Sequence, residues 1–181
     1  MKWIILISLL FTFLQADIKT DLYHLYQDKA FEKACRNGLK VFQRYRKDEE
    51  FVSLYAFSCL NADQIDRLAI PISILKHSEE ARSNAAYFSV ILMQKKLLFH
   101  SLVDNYKLVE LSLPKTDHVL SRVYELYSQV DYQRKRSHYT YTDPNNNKIM
   151  YKLYIKNTNQ NKKMVIEEYY DTIMTHRHVY W

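Results

Sequence analysis

One glycine in 181 residues, Gly38, constrains this chain more than any other feature. Phosphate-cradling loops, dinucleotide turns and nucleophile elbows need glycine for positive φ and for close approach of backbone to ligand. None can be assembled here, which excludes most nucleotide-handling enzymes. Apolar residues at 48% and aromatics at 14% nonetheless place the chain among folded proteins.

The N-terminus reads as an export signal. Lys2 precedes the apolar run Trp3 to Leu14, and Gln15-Ala16-Asp17 supplies a small residue before a polar one. The run is shorter than the roughly 20 apolar residues a bilayer span requires. Cleavage near Ala16 is expected, with an uncleaved anchor as the alternative. The mature chain is then expected to be exported, periplasmic or secreted, and not membrane-spanning. Its net charge of +6 falls by one when Lys2 leaves. In that compartment nucleic acid is not an expected partner; phosphorylated glycans and lipid headgroups are the anionic surfaces on offer, with a merely solvated basic surface as the alternative.

Between residues 18 and 109, apolar positions echo at an offset of 34. Ile18, Leu22, Leu25, Phe31, Ala34, Cys35 and Val41 map onto Val52, Ala56, Cys59, Ile65, Leu68, Ala69 and Leu75. A second shift gives Ala86, Val90, Met93, Phe99, Leu102, Val103 and Val109. Spacings of three and four within runs of about a dozen predict amphipathic helices. Polar breaks at Gln27-Asp28-Lys29, Asn61-Ala62-Asp63 and Gln94-Lys95-Lys96 predict the hairpin turns. Pro71 falls inside a predicted helix and should kink or split it. After Pro114, residues 116–130 predict one further helix, capped by Thr116 or Asp117. It would cover the array's open end.

A helix pair per 34 residues resembles the tetratricopeptide repeat over about residues 15–116. Phe31 and Ala34 stand where that family opens its second helix, and Pro114 stands where it closes a repeat. Leu22 and Val90 replace its small residue, and Arg46 and Glu80 replace its closing proline. The resemblance implies a concave groove lined by Tyr23, Tyr26, Ser53, Phe57, Asn61, Tyr87, Ile91, Gln94 and Lys95, with a protein or peptide as partner. On the same register Cys35 and Cys59 lie on neighbouring helices. In an oxidising compartment an even cysteine count favours a disulfide. Two buried thiols or a redox pair are the alternatives, the latter without C-x-x-C spacing.

From Arg134 onward the period changes from helical to alternating. Tyrosine-rich, β-branched stretches are separated by Pro144-Asn145-Asn146-Asn147 and by Asn157 to Asn161, which predict turns made without glycine. Three or four antiparallel strands are expected over 138–181, with Ile149, Tyr151, Leu153 and Ile155 on one face. Met150, Lys152, Tyr154 and Lys156 would occupy the other. The fold class is therefore α+β: a leader (1–16), a helical array with its capping helix (17–132) and a small β-meander (133–181). The meander is expected to pack on the capping helix.

Candidate chemistry is sparse. His176 and His178 share a strand face, but zinc needs three or four ligands and no third is visible. Glu167 and Glu168 are adjacent on a strand, so they point to opposite faces and form a poor acid–base pair. Arg134, Lys135 and Arg136 form a basic cluster able to hold phosphate or carboxylate. No catalytic set, metal site or cofactor is expected. The sequence favours a non-enzymatic interaction or scaffolding module with a helical groove. A binder of anionic envelope material through the basic C-terminal portion is the alternative.

Overall fold

The computed structural model describes residues 18–108, 111, 113–129, 137–159 and 161–181. The leader, and the basic cluster Arg134 to Arg136, lie outside the described residues. Contacts group the chain into two compact units, Met1–Ala86 and Tyr87–Trp181.

In the first unit, α1 (18–27) is followed by α2 (Phe31–Tyr45) and α3 (Glu49–Asn61). The predicted turns after α1 and α3 are present, and Lys29 and Asp63 supply positive φ in place of glycine. Helix α2 buries one stripe, Ala34, Cys35, Gly38, Phe42 and Tyr45. Helix α3 is buried nearly all round and is the centre of the unit. The two pack antiparallel, with Phe42 on Tyr55 and Tyr45 on Phe51, each at 4.9 Å between ring centroids. The sole glycine sits at the closest approach. A Cβ at Gly38 would lie 2.7 Å from Tyr55 Cδ2. It is therefore needed for helix packing and not for a turn.

Cys35 and Cys59 are disulfide-bonded across this pair, as the even cysteine count favours. Closing a loop of about 25 residues constrains the unfolded chain by roughly 3.5 kcal/mol on the chain-entropy estimate. Asp48 caps α3 through the Phe51 N–H and pairs with Lys19.

After α3 the repeat weakens. Ile65–Leu68 forms a 3-10 turn, and α4 (Ala69–Ile74) is only six residues long. Pro71 lies in the first turn of α4, where its missing N–H leaves no bond unmade. It splits the predicted helix as expected. The third period departs outright. Gln94-Lys95-Lys96 is not a turn but the interior of α5 (Glu79–Asp104), a continuous 26-residue helix. Its buried stripe is Phe88, Ile91, Gln94, Lys95, Leu98 and Ser101, out of phase with the echoed positions. Ala86 is exposed and Met93 is 52% exposed. No glycine or proline interrupts the helical pattern between Glu79 and Asp104, so the helix runs on until Asn105 adopts φ 58°.

The N-terminal end of α5 is held by a carboxylate distant in sequence. Glu49 accepts hydrogen bonds from the N–H groups of Lys76, His77 and Ser78 at 2.7–2.9 Å. These bonds, the one from His77 foremost, hold its pKa down at about 2.

In the second unit, α6 (Val119–Ser128) is capped by neither Thr116 nor Asp117. Asp117 accepts from the Tyr87 hydroxyl and Thr116 from the His118 N–H, so His118 Nδ1 takes the Leu120 N–H. The sheet is a four-stranded antiparallel meander in the order β1-β2-β3-β4. Its strands are β1 (His138–Asp143), β2 (Asn146–Asn157), β3 (Lys162–Tyr170) and β4 (Ile173–Tyr180). Thr175 bulges out of β4 between the pairs Glu168–His176 and Tyr169–Met174, and its hydroxyl donates to the Glu168 carbonyl. Among the described residues of the sheet's turns, positive φ falls on Asp171 in the last turn, not on the asparagines of the first two.

One sheet face carries Tyr151, Leu153, Met164, Ile166 and Tyr180, all buried. Helix α6 meets this face: Tyr127 contacts Tyr139 edge-on, and Arg122 grips Asp143 through two bonds of 2.8 and 2.9 Å. Tyr151 and the Asn145 N–H complete the carboxylate's shell. Arg122, burial opposing it, holds Asp143 at about 2.

Candidate anion-binding face of the sheet

The residues expected to line a groove do not form one accessible set. Tyr23 is half exposed, Tyr26 and Phe57 are partly buried, and the Asn61 amide donates to the Phe57 carbonyl. Ser53 is nearly covered and accepts from Asn84. Tyr87 is engaged with Asp117. Ile91, Gln94 and Lys95 are fully buried. Gln94 donates to the Pro114 carbonyl and Ser121 Oγ, and Lys95 donates to the Trp181 carbonyl. These last three lie inside the second unit because the third period is a single helix and not a hairpin.

The sheet's second face offers a more ordered arrangement. Strand pairing stacks its side chains in four cross-strand rows, spaced by two residues or roughly 6.6 Å. The first row holds Lys156 opposite Lys163, with Trp181 beside Lys163. The second holds His138, Tyr154, Val165 and Val179, and the third Thr140, Lys152, Glu167 and Arg177. Thr142, Met150, Tyr169 and Met174 make the fourth. Lys156, Arg177 and Trp181 are exposed.

Charge on this face is one-sided. Glu167 is the only carboxylate side chain in the four rows, and it is 3% exposed. It accepts from the hydroxyls of Tyr154 and Tyr169, at 2.9 and 2.8 Å, and from Arg177 Nε at 2.9 Å. Burial opposes its ionisation, but those donors outweigh burial and keep its pKa below the ordinary carboxylate range. Both tyrosines are pushed up, Tyr154 first by burial and Tyr169 first by its bond to Glu167. The anion is thus spent internally. Lys152 stands over the Tyr154 ring at 5.6 Å and Lys163 over Trp181 at 4.9 Å, in place of carboxylate partners. Lys156 and Lys163 face each other directly, a pairing that destabilises a sheet.

Glu168, on the opposite face, binds His178 at 2.9 Å. That bond, with burial opposing it, lowers its pKa. Adjacent residues on opposite faces thus serve separate partners, as the alternation predicts. His176 stacks on His178 with ring centroids 6.1 Å apart. Among the described residues no group of three or more potential ligands is arranged to hold a metal.

Alternation alone puts Lys152, Tyr154 and Lys156 together, but joining Lys163, Arg177 and Trp181 to them requires the register. The missing signal was the direct pairing of Asn157 with Lys162 across the second turn, which sets Lys156 opposite Lys163. Comparison with protein-family models, curated proteins and solved structures finds no match. No helix among the described residues is long and apolar enough to cross a membrane.

Proposed function

We propose that this chain is an exported binding protein whose C-terminal sheet takes anionic material of the cell envelope. The observation that carries the reading is the directly opposed pair Lys156–Lys163, on a face whose single carboxylate is already consumed by Tyr154, Tyr169 and Arg177. A like-charge pair that costs stability is explained if an anion supplies the missing countercharge. The leader pattern and the Cys35–Cys59 bond support export. A tetratricopeptide-like peptide groove takes second place, because Ile91, Gln94 and Lys95 are buried.

The test is chromatography of the full-length chain on immobilised heparin and polyphosphate. The wild type should be retained at low salt and released as salt screens the contacts. The Lys152→Gln/Lys156→Gln/Lys163→Gln variant should elute well earlier. Flow-through of the wild type at low salt, or unchanged elution of the variant, would refute the reading.

A further inference from the structure

Resting on that reading, we infer that the first row of the face is a sugar-stacking subsite, so that the anionic ligand is an acidic polysaccharide. The row joins one flat ring to two cations. Trp181 is 61% exposed, and the Lys163 ammonium lies 4.9 Å from its ring centroid, opposite Lys156. An indole offers a planar apolar surface to the C–H face of a pyranose. Ammonium groups within the same row hold a sulfate, phosphate or uronate substituent on that ring.

The rest of the face separates this ligand from two others of equal charge. Single-stranded nucleic acid binds on successive stacking rings. Here the tyrosines of this face, Tyr154 and Tyr169, are tethered through their hydroxyls to Glu167, and Lys152 stands over the Tyr154 ring, which leaves one indole as the large platform. A lipid surface calls for protruding apolar side chains among the cations. Next to the first row, Val165 is 1% exposed and offers none, and the exposed Met174 lies in the fourth row, farthest from Lys156, Lys163 and Trp181. A single exposed ring, with the Lys163 ammonium over it and Lys156 opposite that lysine, fits one sugar residue and its charged group.

Anisotropy with labelled heparin and labelled polygalacturonate tests this on the full-length chain, alongside labelled oligo-dT and flotation with phosphatidylglycerol vesicles. Trp181→Ala should weaken polysaccharide binding about tenfold and leave the salt slope unchanged, because no charge is removed. Trp181→Phe, which keeps a flat ring, should retain most of the affinity. Lys156→Gln/Lys163→Gln should lower the salt slope by about two. The bond from Lys95 goes to the backbone carbonyl of residue 181, so these changes leave it in place. Unchanged polysaccharide affinity in Trp181→Ala would overturn the inference while the charged-face reading stands. Tighter binding of oligo-dT or vesicles than of either polysaccharide would also overturn it, in favour of that class. Failure of every probe to bind at low salt would bring down both.

Discussion

Replacing Arg122 by methionine should expose how the sheet is fastened to α6. The guanidinium makes two bonds to Asp143, whose side chain is only 10% exposed, while that of Arg122 is 21% exposed. Breaking a fully buried pair by removing one partner costs about 3–5 kcal/mol. This site is partly solvated, and Tyr151 and the Asn145 N–H remain to hold the carboxylate, so the lower end applies. The lowered carboxyl gives a second figure. Asp143 moves from an ordinary 3.8 to about 2, which corresponds to about 2 kcal/mol. A loss of about 2–3 kcal/mol at pH 7 is therefore expected. The sign follows from the lowered value. The stabilisation is complete above pH 3.8 and disappears as pH falls toward 2, so wild type and variant should converge there. Urea unfolding followed by far-UV circular dichroism at pH 7 and pH 2.5 measures both. A loss under about 0.5 kcal/mol at pH 7, or the same loss at both pH values, would refute the account. Adding Asp143→Asn should recover part of the loss, since no buried charge is then left unpaired.

Two further changes probe the first unit. Gly38→Ala places a methyl 2.7 Å from the buried Tyr55 ring, so it should destabilise by about 1–2 kcal/mol despite alanine's better helix propensity, as read by urea midpoint. A stabilised variant would mean that α2 and α3 are not so closely packed. Glu49→Gln should lower the melting temperature at pH 7. The wild type should lose that advantage between pH 4.5 and about 2, the interval over which the carboxylate protonates; a difference that does not change across that interval would count against the Glu49 cap.

What could be read in advance depended on how local each cause was. The meander was legible because alternation and turn residues sit within a few positions, and Tyr151 and Leu153 do face inward together. The α2–α3 pairing followed from the 34-residue register, and the cysteine bond from that register together with the even cysteine count. The third period misled because apolar residues abound. Met93 matched the 34-residue echo, yet helix continuity from Glu79 to Asp104 turned it outward. Glu49 and Asp143 were invisible because their partners lie 27–29 and 21 residues away, and no spacing rule marks them. The cap of α6 failed for a related reason: Thr116 and Asp117 had better partners in Tyr87 and the His118 backbone. The charged face needed the β2–β3–β4 register before its lysines could be set beside Trp181.

The kink at Thr175 has a further effect. An outermost strand normally leaves a row of N–H and C=O groups on which a neighbouring molecule can build. On β4 that row is broken by an extra residue and followed at once by His176, Arg177 and His178. A foreign strand could zip along only a few residues before meeting a bend and a run of basic side chains. That outer flank is thus guarded against strand addition without proline or glycine.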